Sequence, residues 1–460
     1  MTPRTRRLAF ALAAASSAGA AAAQSVDSTS GGALTLPDRT NVGGPPLSTV
    51  SPRLPRVGDG GGTLVPSPTP ASAGRGVTVM NRSRPAYDPV GLRSGGFLIL
   101  PEVSLRTTYT SNVFNQPQAK SDVFGRLRGA IAARSTWSRH ALQAEGYVDQ
   151  RTFVRSPTED GLTYNAGLAG RLDVTRQGTI DAGGQISRVI VQRGATTEVL
   201  ATRRPIRYDL RAGNIGVNFA SGRFAWSLAG TATQFDYENA ETPAGLPLDQ
   251  QFRDFTLYDA TALVAYGSPG GASIFVSARH EWRRFRLVVG PDRDADGIEL
   301  LTGLRGDITP LIRGRLGVGY LRSKFKDPQF QTRGGLAFDA RLDYLVTNLT
   351  TLNLSARRQF TNVSSINAPA ALTTSVTVGA DHELLPNLIL SPTLSAQNAD
   401  YVESPLVVRR YSVEFGAAYL VDRRFRLDGN VSYGKRTENR SVNSRAFDEV
   451  NVTAGISYRL

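Results

Sequence analysis

The last eleven residues alternate without error: Val450, Val452, Ala454, Ile456, Tyr458 and Leu460 are apolar, and Asn451, Thr453, Gly455, Ser457 and Arg459 separate them. A period of two sends successive side chains to opposite faces, so this segment reads as a strand with one oily face and one polar face. The pattern recurs upstream. Tyr411, Val413, Phe415, Ala417, Tyr419 and Val421 oppose Ser412, Glu414, Gly416 and Ala418, with Leu420 out of step, and Phe425, Leu427, Val431 and Tyr433 oppose Arg426, Asp428, Asn430 and Ser432. From Phe97 to Leu460 the chain repeats this theme in about 18 segments of roughly 10 to 15 residues, rich in Val, Leu, Thr, Tyr and Gly.

The segments are joined alternately by tight turns and long polar loops. Tight turns are expected at Arg176-Gln177-Gly178, Ser221-Gly222-Arg223, Ser268-Pro269-Gly270-Gly271, Thr309-Pro310, Thr347-Asn348, Pro386-Asn387 and Asp422-Arg423. Longer loops are expected over 115–122, 156–161, 192–204, 238–254, 291–296, 326–333, 362–369 and 437–445. Short turn, long loop, short turn is the order of an up-and-down barrel whose two rims differ.

A soluble sandwich would alternate too, and the aromatics favour lipid. Tyr411 and Tyr419 share a face eight residues apart, as do Tyr258 and Tyr266. At about 3.3 Å per residue and a tilt near 40°, that spacing spans roughly 20 Å along the membrane normal, close to the distance between two aromatic girdles. Past the N-terminus no stretch of about 18 apolar residues occurs, so helical spans are not expected. The predicted fold is all-β: a transmembrane antiparallel up-and-down β-barrel of about 18 strands, with 16 as the alternative. Pro392 and Gly213 fall inside two of these strands, and a kink or bulge is expected at each.

Arg4, Arg6 and Arg7, an apolar run from Leu8 and small residues ending at Ala23 mark residues 1–23 as a secretory signal peptide. Residues 24–86, rich in Pro, Gly and Ser, are expected to form a disordered periplasmic tail, and residues 87–460 the barrel. The chain has no cysteine, so a disulfide frame is excluded. The net charge of +14 calls for anionic counterparts. Export makes nucleic acid a poor candidate, and outer-membrane lipid with lipopolysaccharide phosphates, or an anionic solute, a better one.

If the oily face meets lipid, the other lines a lumen. The pore-lining residues expected on that basis are Arg126, Arg128, Arg279, Arg283, Arg313, Arg315, Arg341 and Arg426, with Glu281, Asp339 and Asp428. Such mixed charge reads first as a brace for the wall and second as a field that favours anions. No catalytic residue is expected: His140, His280 and His382 have no nucleophile motif beside them. Neither metal nor cofactor is expected, for want of ligand spacing.

Two resemblances follow. Thr453, Gly455, Tyr458 and Leu460 fit the C-terminal assembly signal of bacterial outer-membrane β-barrels, with Leu460 where Phe is commoner, which implies the barrel assembly machinery as a partner. The run Tyr87-Asp88-Pro89-Val90-Gly91-Leu92-Arg93-Ser94-Gly95-Gly96-Phe97-Leu98-Ile99-Leu100-Pro101, followed by Thr108-Tyr109-Thr110-Ser111-Asn112-Val113-Phe114, resembles the start of the putative beta-barrel porin 2 family. That resemblance implies an outer-membrane channel, often tied to exopolysaccharide or capsule export with a periplasmic polysaccharide export protein as partner. A general or anion-selective diffusion porin is the alternative, and a non-conducting structural or adhesion barrel a second one.

Overall fold

In a computed structural model the structure describes residues 77–196, 201–268, 271–365, 368–439 and 445–460; the signal peptide and the tail up to residue 76 lie outside them. Eighteen long antiparallel strands, each hydrogen-bonded to its sequence neighbours, run from Phe97–Thr110 to Phe447–Arg459. The first and last strands pair from Glu102↔Arg459 to Thr110↔Asn451, which closes the barrel. Closure leaves no sheet edge, and that is what permits strands to cross a bilayer. Among the described residues no helix is long and apolar enough to cross.

The strands are 12 to 15 residues long. At the usual rise and tilt they span roughly 30 Å, enough for a hydrocarbon core with margins. Tyr258, Tyr266, Tyr411 and Tyr419 all stand exposed on the outer face, among Val264, Val413 and Phe415. Connections at one rim shrink to two residues, as at Gly222-Arg223 and Pro386-Asn387, whereas the other rim carries spans such as 191–206 and 238–254. The loop over 402–406 was not foreseen, because its flanking strands run together in sequence.

The expected kink at Gly213 is absent: the ladder from Gly178↔Phe219 to Ile190↔Arg207 is unbroken. The apparent change of phase has another origin. Tyr208 and Leu210 are apolar yet fully buried on the inner face, and Arg207, Asp209 and Arg211 of the same strand point outward near the long-loop rim. Pro392 also leaves its strand intact, Leu388–Tyr401, facing outward opposite Phe415. Its missing N–H is felt only towards the preceding strand, where pairing lapses between Gly379↔Thr393 and His382↔Leu390.

Residues 77–86, the C-terminal end of the expected tail, pack against the barrel. A single turn, Val79–Asn81, sits inside the short-turn rim. Val79 is fully buried with Ile389 and Leu420 of the inner wall, and its N–H donates to Thr351 Oγ1 at 3.0 Å. Arg82 and Arg84 both bind Glu383, at 3.0 and 2.6 Å, and Arg423 Nε donates to Pro85 O at 2.8 Å. Buried charges demand partners, and Glu383 supplies the one these two arginines share.

Candidate functional site: the barrel interior

Register fixes the faces. Residues paired with an inward neighbour are themselves inward, so the exposed apolar ladder and the polar ladder can be followed around the whole wall. The residues expected to line a pore lie on the inner face, in four settings. Arg126 makes a two-pronged bond to Asp149 at 3.1 and 2.7 Å, and Arg128 stacks on Tyr147 at 3.8 Å. Arg279 joins Asp259 and Glu281, and Glu281 also holds Arg283 at 2.9 Å. Asp339 receives Arg357 at 2.9 Å, and Arg313 grips Asp307 at 2.6 Å. Charge-assisted pairs of this kind brace neighbouring strands across the ladder.

The fourth setting is a row. Arg305, Arg315 and Arg341 are direct cross-strand neighbours on three successive strands. Like charges opposed across a ladder cost stability. Arg315 lies over the Phe275 ring at 4.3 Å and donates to Ser277 Oγ at 3.1 Å. Arg341 is exposed to the lumen and, among the described residues, has neither a hydrogen bond nor an ion pair. Arg283 and Arg426 differ from it: both point inward but are covered, so neither presents charge to open water. Arg283 lies beneath loop residues, and Arg426 sits against Asp428 at 3.5 Å.

The closing seam gives the C-terminal residues a physical role. Gly455 pairs with Arg106 on one side and Asp428 on the other, and across it Arg106 Nε reaches Asp428 Oδ2 at 3.0 Å. A Cβ at Gly455 would stand 2.6 Å from Arg106 Cγ and 2.8 Å from Asp428 Oδ2, so only glycine leaves room for this three-strand bridge. Thr453 Oγ1 lies 2.9 Å from Thr108 Oγ1, Tyr458 packs outward on Phe425, and the Leu460 N–H donates to Pro101 O at 3.1 Å.

An 18-stranded wall is wide enough to leave a water-filled channel. Here its long-loop half is crossed. The span 191–206 joins the fifth and sixth strands, yet Thr196 Oγ1 donates to Gln397 Oε1 at 2.6 Å and Tyr401 Oη donates to Thr196 O at 3.0 Å on the far wall. Arg410 Nη1 also reaches Gly194 O at 3.2 Å. Asn115 Nδ2 donates to Arg193 O at 2.8 Å, and Arg193 pairs with Glu159 at 2.7 Å. Gly194 has φ +72°, and a Cβ there would meet the Phe447 ring at 2.3 Å, so the chain passes this close to the wall because the residue is glycine. The sequence marked 192–204 only as an external loop. No local signal tells an inward-folding loop from an outward one.

The family described as Putative beta-barrel porin 2 matches residues 84–460. Among solved structures, OccK2 (OpdF) of Pseudomonas aeruginosa aligns at 13% identity over 79% of this chain and 98% of its own, with a TM-score of 0.41. OpdL of the same organism aligns at 10% identity over 80% and 99%, with a TM-score of 0.39. Its ferric enterobactin receptor PfeA, as the R480A mutant, aligns at 8% identity over 79% and 81%, with a TM-score of 0.41. Superpositions this loose carry no functional weight. No curated protein matches the sequence.

Proposed function

This chain belongs to the Putative beta-barrel porin 2 family and is a porin-like β-barrel of the outer membrane, from which we propose that it is an anion-selective diffusion channel. The observation that carries the reading is the arginine row Arg305, Arg315 and Arg341, with Arg341 open to the lumen. A fixed positive charge in a narrow water path concentrates anions and repels cations. Other inner arginines, Arg126, Arg279, Arg313 and Arg357 among them, pair with carboxylates. Further basic charge lies on the outer face near the long-loop rim, at Arg322, Lys324, Arg409 and Lys435, where lipopolysaccharide phosphates would be its partners.

Export of exopolysaccharide, with a periplasmic export protein, is the second reading, and the family favours it. A polymer would have to displace the span pinned through Thr196, which weighs against this reading. Planar bilayers loaded with the purified barrel separate the two. Discrete, anion-selective steps whose selectivity weakens or inverts in Arg341→Glu support the channel. A silent barrel, together with loss of surface polysaccharide on gene deletion, overturns it in favour of export.

A further inference from the structure

Near the long-loop rim the inner wall carries a connected set of rings. Tyr208 contacts Tyr237 and Phe235 at 5.1 and 5.8 Å, Phe235 stacks on Phe255 at 4.4 Å, and Phe255 meets Phe285 at 5.4 Å. Three guanidinium groups sit on this sheet of rings: Arg253 over Tyr237 at 4.3 Å, Arg293 over Phe285 at 4.3 Å, and Arg283 over Phe255 at 5.9 Å. All three are at most 3% exposed. The cluster joins two loops to the wall, since Arg253 and Arg293 come from spans 238–254 and 286–294 and Arg283 from a strand.

Its hydrogen bonding is incomplete. Glu281 takes one Nη of Arg283, Gln250 Oε1 takes one of Arg253 at 3.0 Å, and the Phe252 carbonyl takes one of Arg293. Arg283 Nε and Nη1, Arg293 Nη1 and the Tyr208 hydroxyl are buried without a partner. Such groups cost free energy when nothing accepts from them. The guanidinium nitrogens can only donate, and the hydroxyl can donate as well as accept. Burial, together with repulsion from Arg253 and Arg283, pushes Arg293 down to about 10, which marks a strained concentration of positive charge.

We propose that this cluster is a binding site for an oxyanion, a carboxylate or phosphate group borne by a solute arriving from the extracellular side. Guanidinium forks match such groups in charge and geometry, and the rings hold the forks in place while excluding water. The inference goes beyond the channel reading and does not depend on it.

The test is calorimetric titration of the folded, detergent-solubilised full chain at low ionic strength, with inorganic phosphate and with glucuronate as probes. Saturable binding of either probe is expected, weakened about tenfold or more in Arg293→Gln and in the Arg283→Gln, Arg293→Gln double variant. Binding should be unchanged in Arg188→Gln, which points to lipid. The stronger probe names the group recognised. Because Arg293 lies in a loop, its single variant keeps the test valid if the double variant does not fold. Absence of saturable binding by the wild type, or equal affinity in folded Arg293→Gln, overturns the site. A barrel silent in bilayers that still binds phosphate would sink the channel reading and leave this one standing.

Discussion

The two mouths of the barrel are both occupied, in different ways. At the short-turn end the segment around Val79 is held by an acid and a hydroxyl of the wall, with two arginines sharing Glu383 and the buried Val79 N–H donating to Thr351. At the long-loop end 191–196 is held across the lumen by bonds from Thr196 and Gly194 to the far wall, with Val191 and Ala195 buried beside Ile206 and Tyr208, and the adjoining Arg283 and Arg293 keep buried nitrogens without a partner. What separates the two is the balance of charge: the arginines of the lower closure share a carboxylate, whereas Arg293 in the upper one is met by a carbonyl, which suits an anionic ligand. The lower closure therefore reads as architecture and the upper one as function.

The hardest blow to this contrast is Glu383→Ala. It leaves Arg84 buried without its acid, a loss of about 3–5 kcal/mol for a broken buried pair, so the strap should detach. Trypsin would then cleave after Arg82 in the folded barrel while the wild type resists. Wild-type resistance in the variant would show that the strap is not held by charge.

A smaller effect is expected at the other mouth. Gln397→Ala with Tyr401→Phe removes both bonds to Thr196, about 2 kcal/mol together, enough to shift a docked-to-free equilibrium roughly thirtyfold. Single-channel records should show larger or longer openings. Identical records would mean that the span does not limit the path.

The smallest concerns Asp422, in the turn beside Arg423. Backbone N–H groups of Phe425 and Arg424, both at 2.7 Å, hold its carboxyl below the ordinary aspartate range. A depressed folded value means its contribution is complete above the ordinary carboxylate pKa and fades as pH falls through the lower folded one. Carboxyl NMR should place the Asp422 midpoint below that of an unperturbed aspartate. A midpoint at or above it would remove this support for the turn that anchors Pro85.

Much of the wall was legible. Alternation is a local property, so inward positions such as Arg126, Arg315 and Asp428 could be named strand by strand, and Gly455 by its place in the terminal motif. Tyr208 and Leu210 misled, because apolar residues that line the lumen under a loop look like lipid-facing ones shifted by one. Arg253 and Arg293 were missed for the same kind of reason: they lie in polar loops, where arginine is ordinary, and only the folding of those loops buries them.

By itself the sequence determined a closed wall of alternating strands with a charged interior, because side-chain direction in a strand follows from counting by two. Only the tertiary structure decided what occupies that interior. Thr196 meets Gln397 across 201 residues of chain, and Arg84 meets Glu383 across 299. Contacts at such separation leave no periodic trace, since they depend on where two loops and a tail come to rest once the wall has closed.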